Sequence, residues 1–254
     1  MKKFEGKVAI ITGGSGSIGY VTAKNLAEKG AKILIVDINE EALKEKEQEA
    51  KAAGLEISYA VADVTKSEDV KNYVDTCIER YGKIDFFFNN AGIEGVVKPM
   101  QDYPEEVFDK VIAVNVKGVY LGMKYVNPKI EDGGSIVITS SVAGLQGSPG
   151  MVGYITSKHA VIGIMRTAAL ELGDRKVRVN SVHPGVVDNR MMRSLEDGMN
   201  PGHGEEVKKM MESAVPLKRY AQPEDISNMV AFLFSNESSY VNGTTISVDG
   251  GMKA

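Results

Sequence analysis

Tyr154-Ile155-Thr156-Ser157-Lys158 sets a phenol and an ammonium four positions apart, and Ser141 adds a hydroxyl upstream of them. A phenol is a poor acid or base at neutral pH, its ordinary pKa being about 10. An ammonium held beside it favours the phenolate and brings its titration toward working pH. Residues at i and i+4 share one face of a helix, so the spacing alone supplies the pairing. Ser141, or Ser140 next to it, could then hold a substrate oxygen within reach of the phenol. A lone Tyr-x-x-x-Lys is more often an ordinary helix face; here the rest of the chain builds a site around it.

The positioning elements begin at the N-terminus. Lys7 to Ile11 is a short apolar, β-branched run that reads as a buried parallel strand. Thr12-Gly13-Gly14-Ser15-Gly16-Ser17-Ile18-Gly19 follows, and Tyr20 to Lys29 has helical spacing ending at Gly30. Strand, Gly-rich turn and helix make a phosphate-binding unit, because backbone can approach a pyrophosphate and the helix N-terminus offers free N–H groups. The next strand, Lys32 to Val36, ends in Asp37. A carboxylate there can accept from both adenosine ribose hydroxyls and repels a 2′-phosphate. Ile38 and Asn39 follow, with no Arg or Lys to hold that phosphate, so the reading is NAD(H) rather than NADP(H).

Strand and helix then alternate without a linker. Expected helices are Glu40 to Ala53, Glu68 to Tyr81, Phe108 to Ile130, Gly153 to Gly173, Gly204 to Ser213 and Pro223 to Ser235. Expected strands are Ile57 to Ala62, Ile84 to Phe88, one within Gly134 to Ser140, Val177 to Val182 and Thr245 to Asp249. Seven strands separated by helices predict one α/β domain over residues 1–254, a doubly wound (Rossmann), mostly parallel sheet covered on both faces. Ligands of such sheets sit beyond the carboxyl ends of the strands. Gly13, Asp37, Asp63, Asn89-Asn90-Ala91-Gly92, Ser141 and Pro184-Gly185 all fall there.

Bulk properties narrow the class. A chain of 254 residues has ample core for one enzyme domain, and a formal charge of −4 gives no footprint for nucleic acid or an anionic membrane. Cys77 is the only cysteine, so no internal disulfide is expected. The apolar run behind Met1-Lys2-Lys3 is too short for a secretion signal and no later stretch approaches a membrane span, so the cytoplasm is expected. His159, His183 and His203 are too scattered for a metal site, and none is expected. Phe86-Phe87-Phe88 reads as a buried strand rather than a stacking platform.

These motifs make the chain resemble a short-chain dehydrogenase/reductase of the roughly 250-residue type over nearly its whole length. The Thr12–Gly19 turn, Asp63-Val64, Asn89 to Gly92, Asn115 in Asn-Val-Lys-Gly, Ser141, Tyr154/Lys158, Pro184-Gly185 and Val248-Asp249-Gly250-Gly251 carry the resemblance. It implies a tetrad of Asn115, Ser141, Tyr154 and Lys158. Tyr154 would exchange a proton with the substrate oxygen and Ser141 would hydrogen-bond that oxygen. Lys158 would lower the Tyr154 pKa and bind the nicotinamide ribose, and Asn115 would hold a water linking Lys158 to solvent. Family spacing favours Ser141 over Ser140. The dinucleotide would rest on Gly13, Ser15, Ser17, Ile18, Gly19, Asp37, Ile38, Asp63, Val64, Asn90, Ala91, Gly92, Tyr154, Lys158, Pro184, Gly185, Val187 and Asn189. Two positions depart from the pattern: Ser17 stands where a Gly is usual, and Asn189 where a Thr is.

The segment Val186 to Val215 reads as one long irregular stretch, rich in Met and Gly, and is expected to form a mobile lid over the substrate. Met residues packing a short helix pair are the competing reading. Glu94, Ser141, Gln146, Tyr154, Met191 and Met192 are the expected substrate contacts. Arg190 and Arg193 are the only cations placed to meet a substrate anion, which favours a mainly apolar secondary alcohol or ketone. Similarity to relatives acting on cyclic alcohols, cyclic diketones and hydroxysteroids points the same way. A reductase of β-ketoacyl thioesters is the nearest enzymatic alternative, and a non-catalytic dinucleotide-binding protein is the alternative of another class. The two long helices need cover on more than one side, and in this family their equivalents pair across a dimer interface. A homotetramer, or a homodimer, is therefore expected.

Overall fold

The computed structural model describes residues 2–254. Its strands are β1 (Val8–Thr12), β2 (Lys32–Asp37), β3 (Ile57–Val61), β4 (Ile84–Asn89), β5 (Ile130–Thr139), β6 (Arg178–Pro184) and β7 (Thr245–Val248). They form one sheet in the order β3-β2-β1-β4-β5-β6-β7, with every pairing parallel. The chain winds outward from β1 to β3, then crosses to β4 on the other side. That reversal opens a crevice between the ends of β1 and β4.

Strand alternation decides what covers each face. Val8, Ile10, Leu34, Val36 and Phe87 point to the face packed by α3 (Ser67–Tyr81), α5 (Gly118–Val126) and α6 (Val152–Glu171). Ala9, Ile11, Ile33, Ile35, Phe86 and Phe88 point to the face packed by α1 (Ser17–Glu28), α2 (Glu40–Ala52) and α9 (Pro223–Phe234). Phe86 stacks on Phe234 with ring centroids 4.8 Å apart and meets Phe4 edge-on at 5.6 Å, so the aromatic run is core as expected.

Two expectations need correction. The helix expected over Phe108–Ile130 is α4 (Glu105–Ile112), a π-helical turn at Ala113–Lys117, and α5, which ends at Val126. Pro128 has no N–H to continue it, and Ile130 already pairs with Ile84 as the start of β5. The segment expected to be irregular carries a second helix: α7 (Arg190–Met199) packs beside α8 (Gly204–Ala214), which matches the helix expected at Gly204–Ser213. Asn189 starts α7 by accepting the amide of Met192 at 3.0 Å, an N-cap that satisfies one of the free donors of the first turn. Three of the segment's Met residues pack this pair, Met192 buried and Met191 and Met211 against the same cluster, whereas Met199 and Met210 are exposed.

Candidate active site

Four strand ends are stitched together at the crevice. Thr12, the last residue of β1, accepts the amides of Asn90 and Ala91 on its hydroxyl, and its carbonyl takes Asn90 Nδ2 at 3.1 Å. Thr139, the last residue of β5, donates to Asn90 Oδ1 at 2.9 Å. Ser140 next to it donates its amide to the carbonyl of Val182 on β6 and its hydroxyl to the carbonyl of Lys158, at 2.9 and 2.8 Å. Ser140 is thus a structural tie, and Ser141 is the hydroxyl left beside the phenol.

Tyr154 and Lys158 stand on α6, both buried. Lys158 Nζ lies 5.5 Å from the centre of the Tyr154 ring and donates to the carbonyl of Thr139 at 3.0 Å. Desolvation lowers the Lys158 ammonium to about 8. Burial likewise pushes the Tyr154 phenol up to about 12; the Ser141 hydroxyl works against that shift and the Glu94 carboxylate adds to it. At neutral pH the phenol therefore holds its proton and can act as a donor.

Asn115 sits in the π-turn, fully buried. Single π-turns inside helices recur at functional sites, because the widened ring turns one residue inward. Asn115 Oδ1 accepts the Ile93 amide at 2.8 Å, and Nδ2 donates to the Ile93 carbonyl at 2.9 Å and to Ser157 Oγ at 3.0 Å. Ser157 in turn donates to the carbonyl of Tyr154. The side-chain amide thus braces the loop after β4 against α6. Gly92 lies between Asn115 and Lys158: a Cβ there would come 3.2 Å from Asn115 Oδ1 and 3.4 Å from Lys158 Nζ.

The dinucleotide residues fit such a ligand. Gly13 has φ +65°, and a Cβ on it would come 2.9 Å from Asn90 Nδ2, so only glycine keeps this turn close to the β4 end. Ser17 is the exposed first residue of α1, followed by Ile18 and Gly19, and no side chain caps this helix. Its N–H groups are open to an anion. Asp37 ends β2, and Oδ2 accepts the amide and hydroxyl of Ser15 at 3.2 and 2.7 Å while Oδ1 accepts the Ile38 amide at 2.8 Å. Ile38 is 67% exposed beside it, as an apolar platform for an adenine would be. Asp63 Oδ1 takes the hydroxyl and amide of Thr65, which fixes the turn carrying Val64. Gly185 donates its amide to Val248 of β7, and Val187 pairs with Ala221, so the chain leaves β6 along a fixed path toward Asn189.

On the other side of Tyr154 lies an apolar wall of Met151, Val186, Met192, Leu195, Val215 and Tyr220. Glu94 is buried there and pairs with Arg190 at 3.1 Å. Gln146 is exposed and accepts Lys253 Nζ at 2.7 Å, next to Met252, which packs against the same wall. Among the described residues no cluster of three His, Cys, Asp or Glu side chains is placed to hold a metal ion.

A family model described as "Enoyl-(Acyl carrier protein) reductase" matches residues 13–253. Levodione reductase of Leifsonia aquatica is 38% identical, over 99% of this chain and 96% of that one. The chain belongs to the short-chain dehydrogenase/reductase family. Cyclohexanol dehydrogenase of an Acinetobacter species (strain SE19) is also 38% identical, over 98% of this chain and 95% of its own. The crystal structure of NAD⁺-bound xylitol dehydrogenase superposes with a TM-score of 0.92 at 38% identity, covering 98% of this chain and all of that one. As a member, the chain is a nicotinamide-dinucleotide-dependent oxidoreductase that interconverts secondary alcohols and ketones. No helix among the described residues is long and apolar enough to cross a membrane.

Several working residues escaped the sequence reading. Thr139 and Ser157 carry no motif of their own and are found only through their partners Lys158 and Asn115. His183 is fully buried, with its ring between the Ser141 carbonyl and the Ser181 hydroxyl, each at 2.8 Å. Burial holds it below the ordinary histidine range, so it stays neutral and braces the Ser141 turn. Its position directly before Pro184-Gly185 was the available signal.

Proposed function

We propose that this enzyme prefers NAD(H) to NADP(H) and acts on a ring-shaped or otherwise mainly apolar secondary alcohol or its ketone, steroid-like rings included. The observation that carries this reading is Tyr154 standing buried against Met151, Val186 and Met192, with Asp37 and no cation at the end of β2. A relative that is a cyclohexanol dehydrogenase and one that is a levodione reductase support it.

In the reducing direction Tyr154 gives its phenolic proton to the carbonyl oxygen while Ser141 donates a hydrogen bond to the same oxygen. In the oxidising direction the phenolate takes the alcohol proton. The bound nicotinamide supplies the hydride donor or acceptor. Lys158 would hold the nicotinamide ribose, and while protonated would favour the phenolate 5.5 Å away. Asn115, its side-chain amide engaged by Ile93 and Ser157, holds the loop and α6 in register. The apolar wall excludes bulk water and orients the substrate carbon.

The chain is expected to work in the cytoplasm as a homotetramer or homodimer. Tyr120, Leu170 and Tyr240 are large apolar side chains standing exposed on one protomer, which a self-associating surface would cover. Light scattering on the purified protein reads that directly, and a monomeric mass overturns it.

The activity is tested by following NADH formation with cyclic secondary alcohols, hydroxysteroids and 3-hydroxyacyl thioesters, each repeated with NADP⁺. Turnover of a cyclic alcohol with NAD⁺ supports the proposal. Turnover confined to thioesters moves the chain to acyl reduction, and Tyr154→Phe must abolish whatever turnover is found while leaving cofactor binding intact.

A further inference from the structure

One charged pair interrupts the apolar wall beside Tyr154. Glu94, on the loop after β4, is only 8% exposed, and its two oxygens receive Nη1 and Nη2 of Arg190 at 3.1 and 3.5 Å. Its charge reaches the Tyr154 phenol. Arg190 is the first residue of α7, and its side chain is 76% exposed. The pair therefore spans from the catalytic loop to the helix pair that closes the crevice.

As a device for stability this arrangement is poor. A carboxylate is costly to bury and its partner stays largely in water, so the attraction is weak. The partner is also a cation at a helix N-terminus, where the dipole disfavours it. As a recognition device it is well suited. The guanidinium has five N–H donors, and two are spent on Glu94, which leaves donors for a carbonyl. Glu94 can accept from a hydroxyl. The two charges cancel, so a substrate carboxylate or phosphate gains little there, whereas a neutral oxygen can be held from both walls.

We propose that Glu94 and Arg190 bind a second oxygen of the substrate, so that this site takes a molecule bearing a hydroxyl or carbonyl in addition to the one that reacts: a diol, hydroxy-ketone or dione on an otherwise apolar frame. The inference rests on the secondary-alcohol reading of the same crevice and names its substrate class more narrowly.

The test compares kcat/KM for cyclohexanol with that for the 1,2-, 1,3- and 1,4-cyclohexanediols, using NAD⁺ and each protein at its own pH optimum. The intact enzyme is expected to favour at least one diol by about tenfold or more, the discrimination a site built for a polar group can reach. Glu94→Gln and Arg190→Met are expected to bring that ratio toward one. Glu94→Gln removes the buried charge and Arg190→Met leaves it unpaired, so the two variants stress the fold differently. A thermal melt of each shows that it is folded before the ratio is read. A ratio near one in the intact enzyme overturns the inference. So does an unchanged ratio in Arg190→Met, which would leave the pair as a pin between loop and helix. Turnover of cyclohexanol with no preference for any diol sinks this inference alone, while silence on cyclohexanol and every diol sinks both it and the small-ring substrate on which it rests.

Discussion

The ammonium of Lys158 points at the main-chain oxygen of Thr139, 3.0 Å away, from inside the fold. No carboxylate lies within ion-pair distance of it among the described residues. Desolvation takes its pKa from the ordinary 10.5 to about 8, so the folded state binds this proton less tightly than the unfolded chain. Unfolding then takes up a proton between about pH 8 and pH 10.5, and stability from this group rises with pH across that window. Below it the full penalty stands, on the order of 3 kcal/mol. Lys158→Met removes the penalty and also one donor to Thr139. The melting temperature of the variant relative to the intact protein is expected to be highest near neutral pH and to decline steadily toward pH 10, while turnover is lost. A difference that does not vary with pH would show that Lys158 is not held desolvated.

The Tyr154 phenol is pushed up by burial, pulled down by Ser141 and pushed up further by Glu94. Alcohol oxidation needs the phenolate, so its kcat/KM should climb with pH while Lys158, 5.5 Å from the ring, stays in place. Removing the Glu94 charge should move that climb to lower pH, and Ser141→Ala should move it to higher pH and depress its height. Profiles of kcat/KM for Glu94→Gln and Ser141→Ala, taken between about pH 6 and pH 10 with one alcohol, check the two signs. Shifts in the same direction would break the assignment.

Much of this site was legible because its chemistry is written locally. Tyr154 and Lys158 lie one helical turn apart, the Gly13 turn follows a strand directly, and Asp37 closes the next one. What escaped depends on contacts between distant segments. Glu94 and Arg190 are 96 positions apart, and only the packing of α7 over the β4 loop brings them together. Asn115 was recognisable, yet the π-turn that aims it leaves no residue-type signature, since it adds one residue to a turn without needing Gly or Pro. The end of α5 was readable in Asn127-Pro128 and was overrun because the apolar spacing continues to Ile130. The helix α7 hid behind Gly198, which lies within its last turn, while Gly202 at φ +79° turns the chain toward the helix that was legible at Gly204–Ser213.

Cofactor choice should turn on Asp37 and its tether. Ser15 donates twice to one carboxylate oxygen, which holds the charge at the strand end. Asp37→Ser removes the repulsion of a 2′-phosphate together with acceptors for the ribose hydroxyls. The ratio of kcat/KM for NADP⁺ over NAD⁺ is expected to rise by roughly 100-fold, most of it from loss with NAD⁺. Ser15→Ala should raise the same ratio only slightly, because the charge remains. Steady-state kinetics with both cofactors decide it, and an unchanged ratio in Asp37→Ser would place the ribose elsewhere.

The helix pair over the crevice is anchored by a second buried carboxylate. Glu196 of α7 is 1% exposed, accepting the Tyr220 hydroxyl at 2.9 Å and Arg193 Nη1 at 2.8 Å. Arg193 and Lys208 also share Asp188 and lie over the Tyr220 ring. Tyr220→Phe keeps the ring under both cations and removes only the hydroxyl, leaving one buried carboxylate oxygen short of a donor. Such a loss costs about 1–3 kcal/mol, or a few degrees of melting temperature in a domain of this size. Because Met192 and Leu195 lie on the same helix and face Tyr154, a loosened α7 should raise KM for the alcohol more than it lowers kcat. Calorimetry and steady-state kinetics on this one variant test both halves; a stability loss with KM unchanged would show that α7 is held by its apolar contacts alone.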